Sequence, residues 1–219
     1  YKRQETGIYQ PEVASNRLLE ELNPVLMSFY RRVFLAMYEA NEGYYERFRK
    51  DDAFVFGRNM DIEVLVNEYF RTKTLVLSGI AQRQANAIQK EIVKLRAQEL
   101  SIPVIARGIQ EKFSNIFRSR AKLIARTETH NVASFANHSY HSTLSDNLGI
   151  NMMKRWCSVA DDRTRSFHAD ANGQTVNMEG DFLVGGAPMK YAGDQRGGAK
   201  NVINCRCVIL YVDENDVVT

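Results

Sequence analysis

Trp156, Asp161, Arg163, Thr164, Arg165 and His168 crowd into one short stretch of this chain, and Asn204-Cys205-Arg206-Cys207 answers them further on. The residues just named include the only tryptophan and two of the three cysteines. In extended backbone, residues two apart point to the same side, so Cys205 and Cys207 can converge on one point while Arg206 faces away. Thiolate and imidazole are the donors of a tetrahedral zinc site, and His168, Cys205, Cys207 and Cys157 make up one such set. The spacing matches no standard finger or ribbon. A second reading stands beside the metal: the cysteines are small buried residues, and His168 is tied by hydrogen bonds to Asp161 or to a backbone carbonyl. Asp161-Asp162-Arg163-Thr164-Arg165 places opposite charges at turn spacing, and a carboxylate gripped by an arginine fork pins a loop without a large apolar core. Catalytic use would need His168 to pair with Asp161 as acid and base, or with a cysteine as nucleophile. No nucleophile stands at characteristic local spacing, so no catalytic residue is assigned.

These side chains must be held by short strands and turns. From about residue 147 helical periodicity stops, glycines recur at 149, 173, 180, 185, 186, 193, 197 and 198, and short apolar runs take over. Strands are expected at Met152–Val159, Thr175–Met178, Phe182–Val184 and Val208–Val212. Asn172-Gly173 supplies a tight-turn signal, and Gly185-Gly186 and Gly197-Gly198 are expected to be flexible connections.

Ahead of this module the apolar spacing is helical. Leu18, Leu19, Leu22, Leu26, Phe29, Val33, Phe34 and Met37 recur at three and four residues, interrupted by Pro24, which predicts a short helix ending near Leu22 and a longer one from Pro24. Further helices are expected over Asp61–Thr72, from Ser78 to Leu100, from Pro103 through Phe117, and from Ala121 to about Ser145. Within the last of these, Arg126 and His130 share a face with Glu128 to the side, read as a surface ion pair and a half-buried histidine. His138 and His141 are read as surface histidines. The fold class is therefore α+β: a helical region over 1–104, helices over 105–146 opening the module, and a β-rich module over 147–219.

At 219 residues and 44% hydrophobic content the chain is an ordinary globular size and composition. No apolar run approaches the roughly 20 residues of a membrane span, and no basic-then-apolar signal segment opens the chain. It starts at Tyr1 rather than methionine, as expected of a trimmed or processed chain. An odd cysteine count, with two cysteines a single residue apart, suits a reducing compartment. Net charge is only +3, yet Arg83, Lys90, Lys94, Arg96, Arg107, Lys112, Arg118, Arg120, Lys122 and Arg126 fall close together with few acids between them. That segment is either a solvated helix face or a surface for phosphate or an acidic partner. The scarcity of interleaved aromatics argues against a base-stacking groove.

Taken in order, Ala125-Arg126-Thr127-Glu128-Thr129, the Trp156 to His168 cluster, Asp170-Ala171-Asn172-Gly173-Gln174, Phe182, Pro188 and Asn201-Val202-Ile203-Asn204-Cys205-Arg206-Cys207 resemble the MuF-like head-morphogenesis family of tailed bacteriophages. The resemblance covers roughly residues 105–212. It implies a structural minor head protein of the virion, assembled in the host bacterial cytoplasm, with the portal protein and inner capsid as partners and double-stranded DNA as a further one. The alternatives are a DNA-binding or ejected internal head protein, and a hydrolase or nuclease centred on His168. Position by position, the recurrent family residues fall on Arg126, Glu128, Trp156, Asp161, Arg163, Thr164, Arg165, His168, Gly173, Asn204, Cys205 and Cys207. Cys157 has no counterpart in that pattern, which weakens its place in a zinc set. No enzymatic activity is implied, and structural zinc is the one cofactor in question.

Overall fold

The computed structural model describes residues 11–46, 61–71, isolated positions between 82 and 98, and 102–213, with only part of the helical side chains described before residue 122. The chain divides into two compact units, one of Tyr1–Ser28 with Phe70–Ala121 and one of Phe29–Tyr69 with Lys122–Thr219. Helices come first and antiparallel strands follow, the α+β order that the periodicities predict. Among the described residues no helix is long and apolar enough to cross a membrane.

Helix α1 spans Pro11–Glu46 without a break, with Pro24 inside it, where two helices were expected. Proline removes one amide donor and orphans one carbonyl. Here Glu20, Pro24 and Val25 are exposed, so water can satisfy that carbonyl and the helix continues. Residues 62–71 form α2, capped by Asp61, whose Oδ1 accepts from the Glu63 and Val64 amides at 3.0 and 3.3 Å. Positions 82, 83, 86, 87, 90, 91 and 94 are helical, and the rest of the expected 78–100 helix lies outside the described residues, apart from a turn at 98.

Helix α3 is likewise single, Ile102–Leu148, although a new helix was expected after Ser119. Pro103 sits in its first turn, as predicted, and between Gly108 and Gly149 no glycine or proline interrupts it. Its end is a Schellman motif: Gly149 takes φ 61°, the Ile150 amide donates to the Ser145 carbonyl at 3.2 Å, and the Gly149 amide donates to Asp146 at 3.4 Å.

In the second unit, aromatic side chains carry the helix packing. Tyr30, Phe34 and Tyr69 are essentially fully buried, and Tyr69 meets Tyr30 edge-on at 5.0 Å and Phe135 at 5.2 Å. Glu128 was read as part of a surface pair; it is 6% exposed and accepts from the Tyr30 hydroxyl at 2.8 Å. His138 and His141, read as surface histidines, are also buried. Sequence spacing could not show that Tyr211 covers them: its ring stacks on His141 at 4.1 Å.

The strands are β1 Met152–Cys157, β2 Thr175–Asn177, β3 Phe182–Val184, β4 Ala187–Met189 and β5 Val208–Asp213. They form an antiparallel sheet in the order β2-β1-β5 and a separate β3-β4 hairpin. Strand β4 was not anticipated, because Pro188 hides it. Gly185 and Gly186 form the two-residue hairpin turn with φ 56° and 79°, a backbone that side chains resist. Two short helices, α4 Ser166–Asp170 and α5 Gly198–Val202, close the module.

Candidate functional site

Strand β1 alternates cleanly: Met152, Lys154 and Trp156 are buried, while Met153, Arg155 and Cys157 face the other way and are half-buried. Trp156 lies at the centre of the module's core, fully buried, with Phe182 at 5.4 Å and His168 at 5.8 Å, both edge-on. Its backbone is pinned on both sides. The Trp156 amide donates to Gln174 at 2.9 Å, and its carbonyl accepts from Gly173 at 2.8 Å. Gly173 takes φ 81° with open space where a side chain would stand, so conformation rather than crowding calls for glycine there.

Register explains how the two sequence clusters meet. Strand β5 pairs antiparallel with β1, setting Val208 opposite Cys157. The extended segment Cys205-Arg206-Cys207 therefore enters beside the end of β1, where the Asp161 turn begins. Cys205 and Cys207 are buried and Arg206 points outward between them.

Arg206 closes the arrangement with a two-pronged grip on Asp161 at 2.5 and 2.6 Å. Asp161 also accepts from the Arg163 amide at 3.2 Å, and the Thr164 hydroxyl lies between Asp161 Oδ1 and the Val159 carbonyl. These partners, Arg206 foremost, hold the Asp161 carboxyl well below the usual carboxylate range. The turn-local pairing expected from sequence is thus secondary. The Arg163 guanidinium stands 3.5 Å away with its side chain 76% exposed, and Arg165 instead donates to the Ile203 carbonyl at 2.6 Å. Asn204, at φ 55°, donates its amide to the Thr127 hydroxyl of α3 at 3.1 Å.

His168, on α4, bonds neither Asp161 nor a carbonyl through its side chain. Its Nδ1 lies 3.3 Å from Cys207 Sγ and 3.8 Å from Cys205 Sγ. The three donor atoms lie within 4.8 Å of one another, and all three residues are buried. All three cysteines are free. Cys157 does not join them, because it occupies the opposite face of β1 from Trp156. The Cys205 thiol donates toward Cys207 and pulls the Cys207 thiol down to about 5; burial opposes this, and His168 and the Trp156 indole assist. Cys205, as the proton donor of the pair and buried, is pushed up. His130, on α3, is lowered by burial and partly restored by the Cys207 charge. The Nε2 atoms of His130 and His168 are both buried without a hydrogen-bond partner.

Two features escaped sequence reading. Lys154 is fully buried, its ammonium donating to the Lys190 carbonyl at 2.9 Å and lying 5.5 Å from the Phe182 ring centre. Burial brings it down to about 8. The signal was present, since Lys154 stands two residues before Trp156 on one strand face. Gln174 spans to the Leu183 backbone with both ends of its amide, each at 3.0 Å, joining the loop after α4 to β3; no local pattern marks such a bridge. Of the basic residues between 83 and 122, Arg83, Lys90, Lys94, Arg107 and Lys122 are exposed. Arg96 lies outside the described residues, as do the side chains of Lys112, Arg118 and Arg120. Arg126 is exposed on α3 and lines a shallow groove with Lys122, Thr129 and His130.

A family model described as Phage Mu protein F like protein matches residues 72–210. The chain is 25% identical to minor head protein GP7 of Bacillus phage SPP1 over 227 aligned residues, covering 95% of this chain and 72% of that protein. It is also 32% identical over 108 residues to NAD(+)--arginine ADP-ribosyltransferase EFV of Enterococcus faecalis, covering 49% of this chain and only 22% of that enzyme. No solved structure matches.

Proposed function

Because this chain belongs to the Phage Mu protein F like family, we propose that it is a minor head protein of a tailed bacteriophage, a structural component of the virion head assembled in the host cytoplasm. The observation that carries this reading is the alignment to a minor head protein along 95% of the chain. The site is consistent with it. Cys205, Cys207 and His168 are each at most 4% exposed, and the cleft above them, about 10 Å³, has room for about one water rather than a substrate. The module acts as a cross-braced knob: Arg206 clamps the Cys205–Cys207 segment onto the Asp161 turn, and Arg165 clamps that turn onto Ile203. Similarity to the ADP-ribosyltransferase spans about a fifth of that enzyme and is read as a shared module, not a shared reaction.

The partner under this reading is the portal, with the inner capsid beside it. Full-length protein is expected to co-purify with portal protein when the two are co-expressed, and to be found in purified heads by mass spectrometry. Recovery from neither would remove the assignment.

A second, compatible role is contact with packaged double-stranded DNA, favoured by the exposed Arg83, Lys90, Lys94 and Arg107 of the first unit. Four phosphate contacts would give a slope of about −3.6 in log affinity against log salt. Duplex binding is expected to weaken that steeply between low and physiological salt. Reversing Lys90 and Lys94 to glutamate should flatten the slope by about 2. A salt-independent interaction, or none at low salt, argues against DNA.

A further inference from the structure

We propose that His168, Cys205 and Cys207 bind a single Zn(II) ion through His168 Nδ1 and the two sulfurs. No part of this depends on the head-protein reading. It rests first on distance. A tetrahedral zinc with Zn–S near 2.3 Å and Zn–N near 2.0–2.1 Å sets its nitrogen and sulfur donors roughly 3.6 Å apart. The two nitrogen–sulfur separations in this structure are 3.3 and 3.8 Å, on either side of that value. All three donor atoms lie within 4.8 Å of one another, so one ion reaches them with small side-chain adjustments.

Charge and burial point the same way. Two thiolates and one neutral imidazole around a dication sum to zero, the combination a site this deeply buried can hold at least cost. Soft sulfur with one imidazole selects zinc over the hard cations magnesium and calcium.

The supporting frame is already in place. The donors come from two segments, α4 and the stretch before β5, and each is fixed by a contact that does not use the donors themselves. Arg206, placed between the two cysteines, holds its segment on Asp161, and Arg165, three residues before His168, holds the α4 segment on Ile203. Such outer contacts orient ligands before the ion arrives. The fourth position faces the one-water cleft that all three donors line, so a water completes the set. Cys157 is excluded by the face of β1 on which it lies.

Elemental analysis of full-length protein purified without chelator tests the proposal. One zinc per chain is expected. His168→Ala, Cys205→Ser and Cys207→Ser should each lose most of it, while Cys157→Ser and His130→Ala should keep it. In case the ligand variants fail to fold, cobalt(II) substitution of the unaltered protein supplies an independent reading. A thiolate-to-cobalt charge-transfer band with tetrahedral d–d intensity is expected, and it should disappear when zinc is added back. Three outcomes overturn the proposal: a chain that neither carries nor takes up zinc, a Cys205–Cys207 disulfide in freshly isolated protein, or alkylation of Cys207 that runs at the same rate in zinc-loaded and chelator-stripped protein.

Discussion

Replacing Trp156 with alanine is expected to destabilise the second unit by about 3–5 kcal/mol, the range measured when a large aromatic is removed from a packed core. Trp156 is fully buried on β1, the central strand of the three-stranded sheet. Its ring contacts Phe182 and His168 edge-on, so the cavity opens between the hairpin and the site. Little can collapse into that space, because Gly173 and Gln174 hold the Trp156 backbone from both directions. Trp156→Phe keeps an edge for Phe182 and should lose markedly less. Trp156 is the only tryptophan, so the measurement is urea unfolding followed by circular dichroism. A loss below about 1 kcal/mol for the alanine variant would show that this core is not organised around the indole.

Acid is expected to weaken the same unit well above the pH at which carboxylates titrate. Burial lowers His138 to about 3, with the Lys154 and Lys190 charges adding to it, and lowers His141 to about 4 against the Asn137 carbonyl. An unfolded histidine takes up its proton near pH 6.5, whereas these two in the folded chain stay neutral until much lower. Between those limits the unfolded state binds more protons, so stability falls as pH falls from about 6.5 toward 4. Each histidine contributes roughly 1.4 kcal/mol per pH unit across that window. By pH 4.5 the pair together removes on the order of 4–5 kcal/mol. His141→Phe should preserve the stack on Tyr211 while deleting one titration, and so roughly halve the loss between pH 6.5 and 4.5. Unfolding free energies that are flat over that interval, or equal slopes for parent and variant, would contradict the burial argument.

Much of the candidate site could be read before any fold was known. The residues that meet, Asp161, Thr164, Arg165, His168, Cys205 and Cys207, are those that the two clusters singled out, because polar and sulfur side chains concentrated among glycines have few uses other than a braced loop or a metal. Their partners were less legible. Asp161 has Arg163 and Arg165 as near neighbours in the chain, yet its two-pronged contact comes from Arg206, and His168 turns to sulfur instead of to Asp161.

What sequence determined by itself about this protein is what depends on short spacing: helices before strands, Pro103 opening a helix, strands near 152, 175, 182 and 208, and the same-side placement of Cys205 and Cys207. Periodicity of 3.6 or 2 residues is a local property, and the chain carries it wherever it goes. Tertiary structure decided the rest. Whether α1 survives Pro24 depends on whether water reaches the orphaned carbonyl, and whether His138 and His141 lie under Tyr211 depends on where β5 lands. Which arginine finds Asp161 depends on the register that sets Val208 against Cys157. These are matters of which surfaces meet after long loops close, and closing entropy grows so slowly with loop length that sequence distance gives little guide to the winner.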